Sequence, residues 1–592
     1  MNKKNETLKE IFLTAVEKYK KRDFKNAEIS CYKILSINPN HFDSLNMLAN
    51  ISAVNRNFEN AKELLEKAIK IQPKSLSTMH NLGTACKELG KIKDAINYFK
   101  ETLKIDSKHV NAHYNLGLIF YKLNDYKTAK NYFKKTVEIQ NNYAIAFFSL
   151  ANVHVDLKEF GEAVSCYQKA IEINPNLPGT HNNLGLVFRT LNDFKNAIAS
   201  YQKAIEIQPD HAGAYHNLAQ AFKESGDFEK AIKHHQAAIK YEPENLTHYY
   251  FLSELKKDIL DSKLKERIKK ILKDKKSNKR NLSYGNFLLS RYERKNKNYE
   301  KELDYLTKGH QNFYNSQKKR FDIGVKYCFE DMLQITEQAK VEKLMENDKV
   351  ETKPIFIIGV PRCGSTLVEK IIGSGEKYIP LGEETSVLEN FINKKIIDRK
   401  SLNLGSVIEI RNELYEIYKN KGLVSKKFDY VFTDKSLNNF FYLELIKYIY
   451  PKAKIINCKR DILSSIMSIF QNNLTDLAWA HDLDNIFKYF DNYFEIIQNY
   501  KEVKPDNLYQ LDFDKLVDSP EEESKKLMKF CQLPWDKKCL EFYKRKDLIS
   551  KTASNVQIRG EIYKHSLEKY LPYKSFLNKY KIRVIPRDFS QH

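Results

Sequence analysis

Small, apolar and aromatic positions recur at fixed spacing through the first 245 residues. Alanine returns every 34 residues at Ala27, Ala61, Ala95, Ala129, Ala163, Ala197 and Ala231. Prolines keep the same beat at Pro39, Pro73, Pro175, Pro209 and Pro243, with Ser107 and Asn141 on the two beats that lack one. Within single units Leu82-Gly83, Leu116-Gly117 and Leu184-Gly185 share one position, and Phe99, Phe133, Tyr167 and Tyr201 share another. The pattern predicts antiparallel helix pairs. A small residue lets two helices approach, the aromatic fills the space behind it, and proline opens the next unit.

Seven such units, from Leu8 to Asn245, resemble the tetratricopeptide repeat family. The resemblance implies an all-α solenoid over residues 8–245 whose surface holds a protein or peptide partner. Scaffolding the rest of the chain, or dimerising it, is the alternative. Over residues 246–350 the periodicity weakens. LKDKKSNKRNLS reads as a solvated loop and NFLLSRYERKNKNYEKELDYLTKGHQNF as one degenerate repeat hairpin, so this stretch is expected to be a helical connector capping the solenoid.

At Lys353 the texture changes. KPIFIIGV is short, apolar and β-branched, as a buried parallel strand should be, and LVEKII after PRCGST has helical apolar spacing. Strand, tight turn and helix together make an anion cradle, with loop amides and the helix N-terminus aimed at a phosphate. The spacing Gly359-x4-Gly364-Ser365-Thr366 is that of a P-loop in which Ser365 stands where the lysine would be. Without that lysine a nucleotide kinase is disfavoured, and Arg362 offers a fixed cation instead. Strand-then-helix texture returns in YVFTDKSLNNFFYLELIKYIYP, KAKIINCKRDILSSIMSIF and NLYQLDFDKLV, which places Lys435 and Arg460 at strand C-termini, where open α/β sheets bind ligands. Ser519, Pro520 and Glu522 predict a helix start with a capping box.

IFIIGVPRCGSTLVEKII and LGEETSVLENF resemble segments of the sulfotransferases that use 3′-phosphoadenosine 5′-phosphosulfate (PAPS), the tyrosylprotein sulfotransferase type above all. The resemblance implies a P-loop-like, three-layer α/β domain over residues 352–592 with a mainly parallel sheet. It also implies sulfuryl transfer from PAPS to a hydroxyl, with no metal. By the same resemblance Glu384 is the general base and Lys435 contacts the bridging and sulfuryl oxygens. Arg362, Cys363, Gly364, Ser365 and Thr366 cradle the 5′-phosphosulfate, and Arg460 and Ser468 hold the 3′-phosphate. Ser554 and Arg559, with Lys564 as the alternative to Arg559, close over the nucleotide. Phe513 stands where the family often has a cofactor-touching tyrosine, and FQNN follows Ser468 where it has a basic residue. Protein tyrosine is the favoured acceptor. A glycan or small-molecule hydroxyl, or an adaptor with a silent sulfotransferase-like domain, are the other readings.

Composition adds bounds. A chain of 592 residues exceeds one core, and no apolar run spans a bilayer. The net charge of +23 comes mostly from dispersed lysine, a pattern of solvated faces rather than of a nucleic-acid groove. Eight scattered cysteines without a CxxC pair, and a charged start lacking an apolar leader core, make a reduced cytoplasm the expected compartment.

Overall fold

The computed structural model describes residues 2–338, 340–342, 352–375, 379–399, 403–503, 505–545, 559–562 and 570–580. The chain divides into two compact units, residues 1–217 and 218–592.

The repeats fold as helices α1 to α14, which run from Asn2–Lys20 to Phe228–Tyr241. The seven in-phase alanines are all fully buried. At Gly117 a Cβ would stand 2.6 Å from the Phe133 ring, so the close approach that the pattern predicts requires the missing side chain. The turn inside each pair carries a left-handed residue at one repeating position: Arg22, Arg56, Gly90, Asn124, Lys158, Asn192 and Gly226. The next residue then caps the second helix: Asp23, Asn57, Asp125, Asp193 and Asp227 each accept from the amide three residues on. After Gly90 and Lys158 the next residue, Lys91 or Glu159, makes no such bond.

In the second unit four helices follow the repeats: α15 (Leu246–Leu255), α16 (Ser262–Lys273), α17 (Lys279–Lys295) and α18 (Tyr299–Ser316). The segment NFLLSRYERKNKNYEKELDYLTKGHQNF falls on the pair α17–α18. Helices α19 (Lys318–Lys326) and α20 (Met332–Gln338) continue through a π-helical turn at Tyr327–Asp331. Strands β1 (Lys340–Glu342) and β3 (Asn403–Ser406) make a small parallel pair.

The main sheet comprises β2 (Lys353–Ile358), β4 (Val431–Asp434), β5 (Lys454–Lys459) and β6 (Leu508–Asp512). It is parallel throughout, in the order β4-β2-β5-β6. From β2 the chain reaches β4 on one side and then crosses to β5 on the other, so β2 and β5 form the topological switch point. Helices α21 (Ser365–Ile372), α22 (Val387–Arg399), α23 (Val407–Asn420), α24 (Leu443–Ile449), α25 (Ile462–Phe470), α26 (Leu483–Val503), α27 (Phe513–Asp518) and α28 (Pro520–Phe530) connect or flank the strands. β2 is buried from Pro354 to Ile358, as a strand covered on both faces must be. One detail of α28 differs from expectation. Ser519 and Pro520 do start the helix, but Ser519 (ψ 65°) makes no side-chain cap bond, and Glu522 pairs with Lys526 at 2.7 Å instead of closing a box.

One hydrophobic core runs through this unit from Leu246 to Leu577, so the connector helices and the sheet domain share it. Polar bonds reinforce the junction at the end of α25. His310 on α18 donates through Nε2 to the Phe470 carbonyl at 2.7 Å. The fully buried Glu302 accepts from Gln471 at 3.2 Å and from the Tyr573 hydroxyl at 2.7 Å. A chain of residues 212–592 should therefore unfold in one cooperative transition, whereas residues 352–592 alone, with this apolar face bared, should show none. Thermal melts followed by near-UV circular dichroism check both.

Candidate active site

Chemistry collects at the strand ends. Gly359, Lys435, Arg460 and Phe513 each lie one residue past the C-terminus of β2, β4, β5 and β6. The parallel register fixes their level: Phe356 pairs with Asp434, Ile358 with Asn457, and Lys459 with Asp512.

The loop after β2 turns sharply. Arg362 is left-handed (φ 70°), a conformation that costs a side-chain-bearing residue roughly 1–2 kcal/mol. Two bonds hold it there: Arg362 Nε donates to Ser468 Oγ at 3.0 Å, and Arg460 Nη1 donates to the Arg362 carbonyl at 3.0 Å. The three residues singled out for the two ends of one nucleotide are thus joined directly. Cys363 is buried beneath the loop, Thr366 is also buried, and Ser365 opens α21. That helix starts on Gly364, which supplies no side-chain cap. The Ser365 amide and hydroxyl hydrogen-bond the Cys363 thiol beneath them. Gly364 is left-handed (φ 96°), and a Cβ there would stand 2.1 Å from the Phe513 ring. The same ring lies 5.2 Å below the Arg460 guanidinium, so Phe513 is a wedge and a cation–π floor.

Across the sheet end the segment around Gly382–Glu384 runs beside β4. Thr433, Lys435 and Glu384 amides donate to the carbonyls of Pro380, Gly382 and Lys435 at 3.0, 2.9 and 2.8 Å. This pairing delivers Glu384 to Lys435: Nζ donates to Oε1 at 2.8 Å, while Oε2 accepts from the Leu437 amide at 3.2 Å. Glu384 is 44% exposed and left-handed (φ 50°), Lys435 only 3% exposed. Burial would lower the Lys435 pKa, but Glu384, Glu383 and Glu369 outweigh it and hold the ammonium above its ordinary value. Below the pair Asp434 is fully buried, and burial raises its carboxyl despite donors from Tyr418 at 2.5 Å, Ser436 at 2.7 Å and Asn439 at 2.9 Å.

The sequence reading did not single out Glu369, Lys370, Glu383 or Asp434. Arg559 packs beside the α13–α14 turn: its guanidinium is 3.0 Å from where a Cβ on Gly226 would stand, and Nη1 donates to the Arg545 carbonyl at 3.5 Å. Ser554 and Lys564 fall outside the described residues. Among the described residues no group of three or more His, Cys, Asp or Glu is placed to hold a metal, and no helix is long and apolar enough to cross a membrane.

Family comparisons fit this arrangement. Residues 354–537 match the sulfotransferase family model. Tetratricopeptide repeat models match residues 83–124, 110–143, 151–191 and 176–241, and that of anaphase-promoting complex, cyclosome, subunit 3 matches 20–102. The chain carries tetratricopeptide repeats followed by a sulfotransferase-family domain. It is similar to an uncharacterized protein of Aquifex aeolicus (strain VF5), at 30% identity over 49% of this chain and 40% of that one. It is also similar to protein-tyrosine sulfotransferase A of Caenorhabditis elegans, at 27% identity over 34% of this chain and 56% of that one. The chain thus spans about half the length of these curated relatives. Among solved structures it is similar to MamA, at 26% identity and TM-score 0.27 over 27% of this chain and 95% of that one. A second is YrrB, a TPR protein with an unusual peptide-binding site, at 23% identity and TM-score 0.29 over 32% of this chain and 97% of that one.

The Gly364–Phe513 contact yields a direct check. Gly364→Ala adds an overpacked methyl and a left-handed alanine and should cost roughly 2–4 kcal/mol of stability. Gly364→Ala with Phe513→Ala should cost less than the sum of the single variants, because the clash is gone. Denaturant unfolding of the four chains measures the coupling.

Proposed function

We propose that this chain transfers a sulfuryl group from PAPS to the hydroxyl of a protein tyrosine, and that its repeats bind the acceptor protein. The observation that carries the reading is the Glu384–Lys435 pair at 2.8 Å, set beside a P-loop whose cation is Arg362. A tyrosine hydroxyl is a weak nucleophile until its proton leaves, and a half-exposed carboxylate is suited to take it. Lys435, kept charged by its carboxylates, would face the negative charge that gathers on the leaving phosphate.

The residues present fit the nucleotide. Gly364 leaves the start of α21 without a side-chain cap, and Arg362, Ser365 and Thr366 would hold the 5′-phosphosulfate there. Arg460 and Ser468, already joined through Arg362, would take the 3′-phosphate. When bound, the nucleotide supplies a sulfuryl group activated by its phosphate leaving group. Phe513 would give the base or ribose an apolar face in place of the tyrosine hydroxyl. The GEET segment and the likeness to a protein-tyrosine sulfotransferase support tyrosine as acceptor.

Two results test this reading. Adenosine 3′,5′-bisphosphate should raise the melting temperature of the full chain well beyond AMP or ATP, and Arg460→Ala should erase that margin; equal shifts for all three nucleotides would contradict the reading. Glu384→Gln should keep the bisphosphate shift yet lose about 10²–10⁴-fold in transfer to a tyrosine peptide.

A further inference from the structure

Lys435 does not meet Glu384 alone. Behind it a file of alternating charges runs back into the core. Lys435 Nζ is 3.7 Å from Glu383 Oε1, whose other oxygen is 3.5 Å from Lys370 Nζ. Lys370 Nζ in turn lies 3.9 Å from Glu369 Oε2. Lys370 is 2% exposed, Glu383 11% and Glu369 not at all. Groups this deep stay charged only while each has opposite charge beside it. With Glu384 these five groups are three carboxylates and two ammoniums in alternation.

Glu369 is the most deeply buried of the three carboxylates. Its Oε1 accepts from Thr433 Oγ1 at 2.7 Å, but its buried Oε2 has no hydrogen-bond partner, as suits a carboxyl that keeps its proton. The charged groups facing it are Lys370 on its own helix, Lys435 past β4, and Glu383 on the segment beside β4. Burial pushes Glu369 up to about 7, against the pull of the two lysines and with the help of Glu383.

We propose that Glu369, Lys370 and Glu383 are positioning residues that hold Lys435 at the transfer site from behind, with Glu369 carrying a proton. The inference rests on the sulfuryl-transfer reading of Glu384 and Lys435. Its physical content is a hand-over. In the resting site Lys435 is tied to Glu384. Once Glu384 accepts the acceptor's proton that tie weakens, and Glu383, itself anchored by Lys370, keeps the ammonium from swinging away as it turns to the leaving oxygen. A neutral Glu369 leaves Lys370 committed to Glu383. An ionised one would compete for it.

Two measurements on the full chain decide the matter. The first needs no activity. A carboxyl that keeps its proton to a higher pH when folded than when unfolded makes the folded state the more protonated one between the two values. Stability is then lost as pH rises through that window. Compared with Glu369→Gln, the wild type should therefore lose melting temperature steadily from about pH 5 to pH 8; a constant difference across that range would overturn the assignment of the proton. The second separates positioning from packing. Lys370→Met should lower the turnover number on a tyrosine peptide ~10-fold or more while the dissociation constant of adenosine 3′,5′-bisphosphate stays within about twofold, and Lys370→Arg should recover most of the rate. Unchanged turnover in Lys370→Met, or parallel loss of turnover and nucleotide binding with no recovery in Lys370→Arg, would overturn the positioning role. A wild type that transfers nothing would defeat the sulfuryl-transfer reading, while the pH series would still decide where the proton sits.

Discussion

A buried ammonium sets the terms for this site. Lys435 stands at the C-terminal end of β4 almost out of water, and it can stay charged there only if carboxylates come to it. The segment around Gly382–Glu384 therefore has to run alongside β4, and its backbone bonds to Thr433 and Lys435 are what bring Glu383 and Glu384 within reach. The left-handed backbone at Glu384 follows from the same demand, since its carboxylate must turn back to Lys435 and to the Leu437 amide. Glu384 and Lys435 are thus placed by one strand-like contact.

The other half of the site depends on the switch between β2 and β5. Because these neighbours feed helices from opposite turns of the chain, the loop after β2 meets Arg460 after β5 and Ser468 on α25. Arg362 links the two. Its backbone strain is the kind that persists only where surrounding bonds over-determine it, as they do here. The end of α25, two residues beyond Ser468, rests on His310 and on the Glu302 network of the connector. Loss of the connector would thus reach Ser468 and the Arg362–Arg460 bond through α25, not through the loop.

Much of this was legible in the sequence because its signals are local or periodic. The repeat was plain from Ala27 to Ala231, since every unit has to solve the same packing problem. The strand-end residues Lys435 and Arg460 were legible because a short β-branched run followed by helical spacing fixes where a parallel strand stops. The GEET and PRCGST segments stood out by their resemblance to the family. What escaped notice was tertiary. In LVEKII the charged pair Glu369-Lys370 reads as the solvated side of an amphipathic helix, yet α21 is covered on that side too and both residues are buried. Nothing in the local pattern says that Phe513 wedges against Gly364, or that Arg559 lies by Gly226. The connector's weakened period announces helices but not the core that they share with the sheet.

The central claim is that this arrangement moves a sulfuryl group onto a protein tyrosine. Incubating the full chain with sulfur-labelled PAPS and a cell lysate, then mapping the label by peptide mass spectrometry, tests it most directly. The account predicts label on tyrosine residues of protein, absent when Glu384→Gln replaces the wild type. Label confined to glycans or small molecules, or equal labelling by Glu384→Gln, would contradict it.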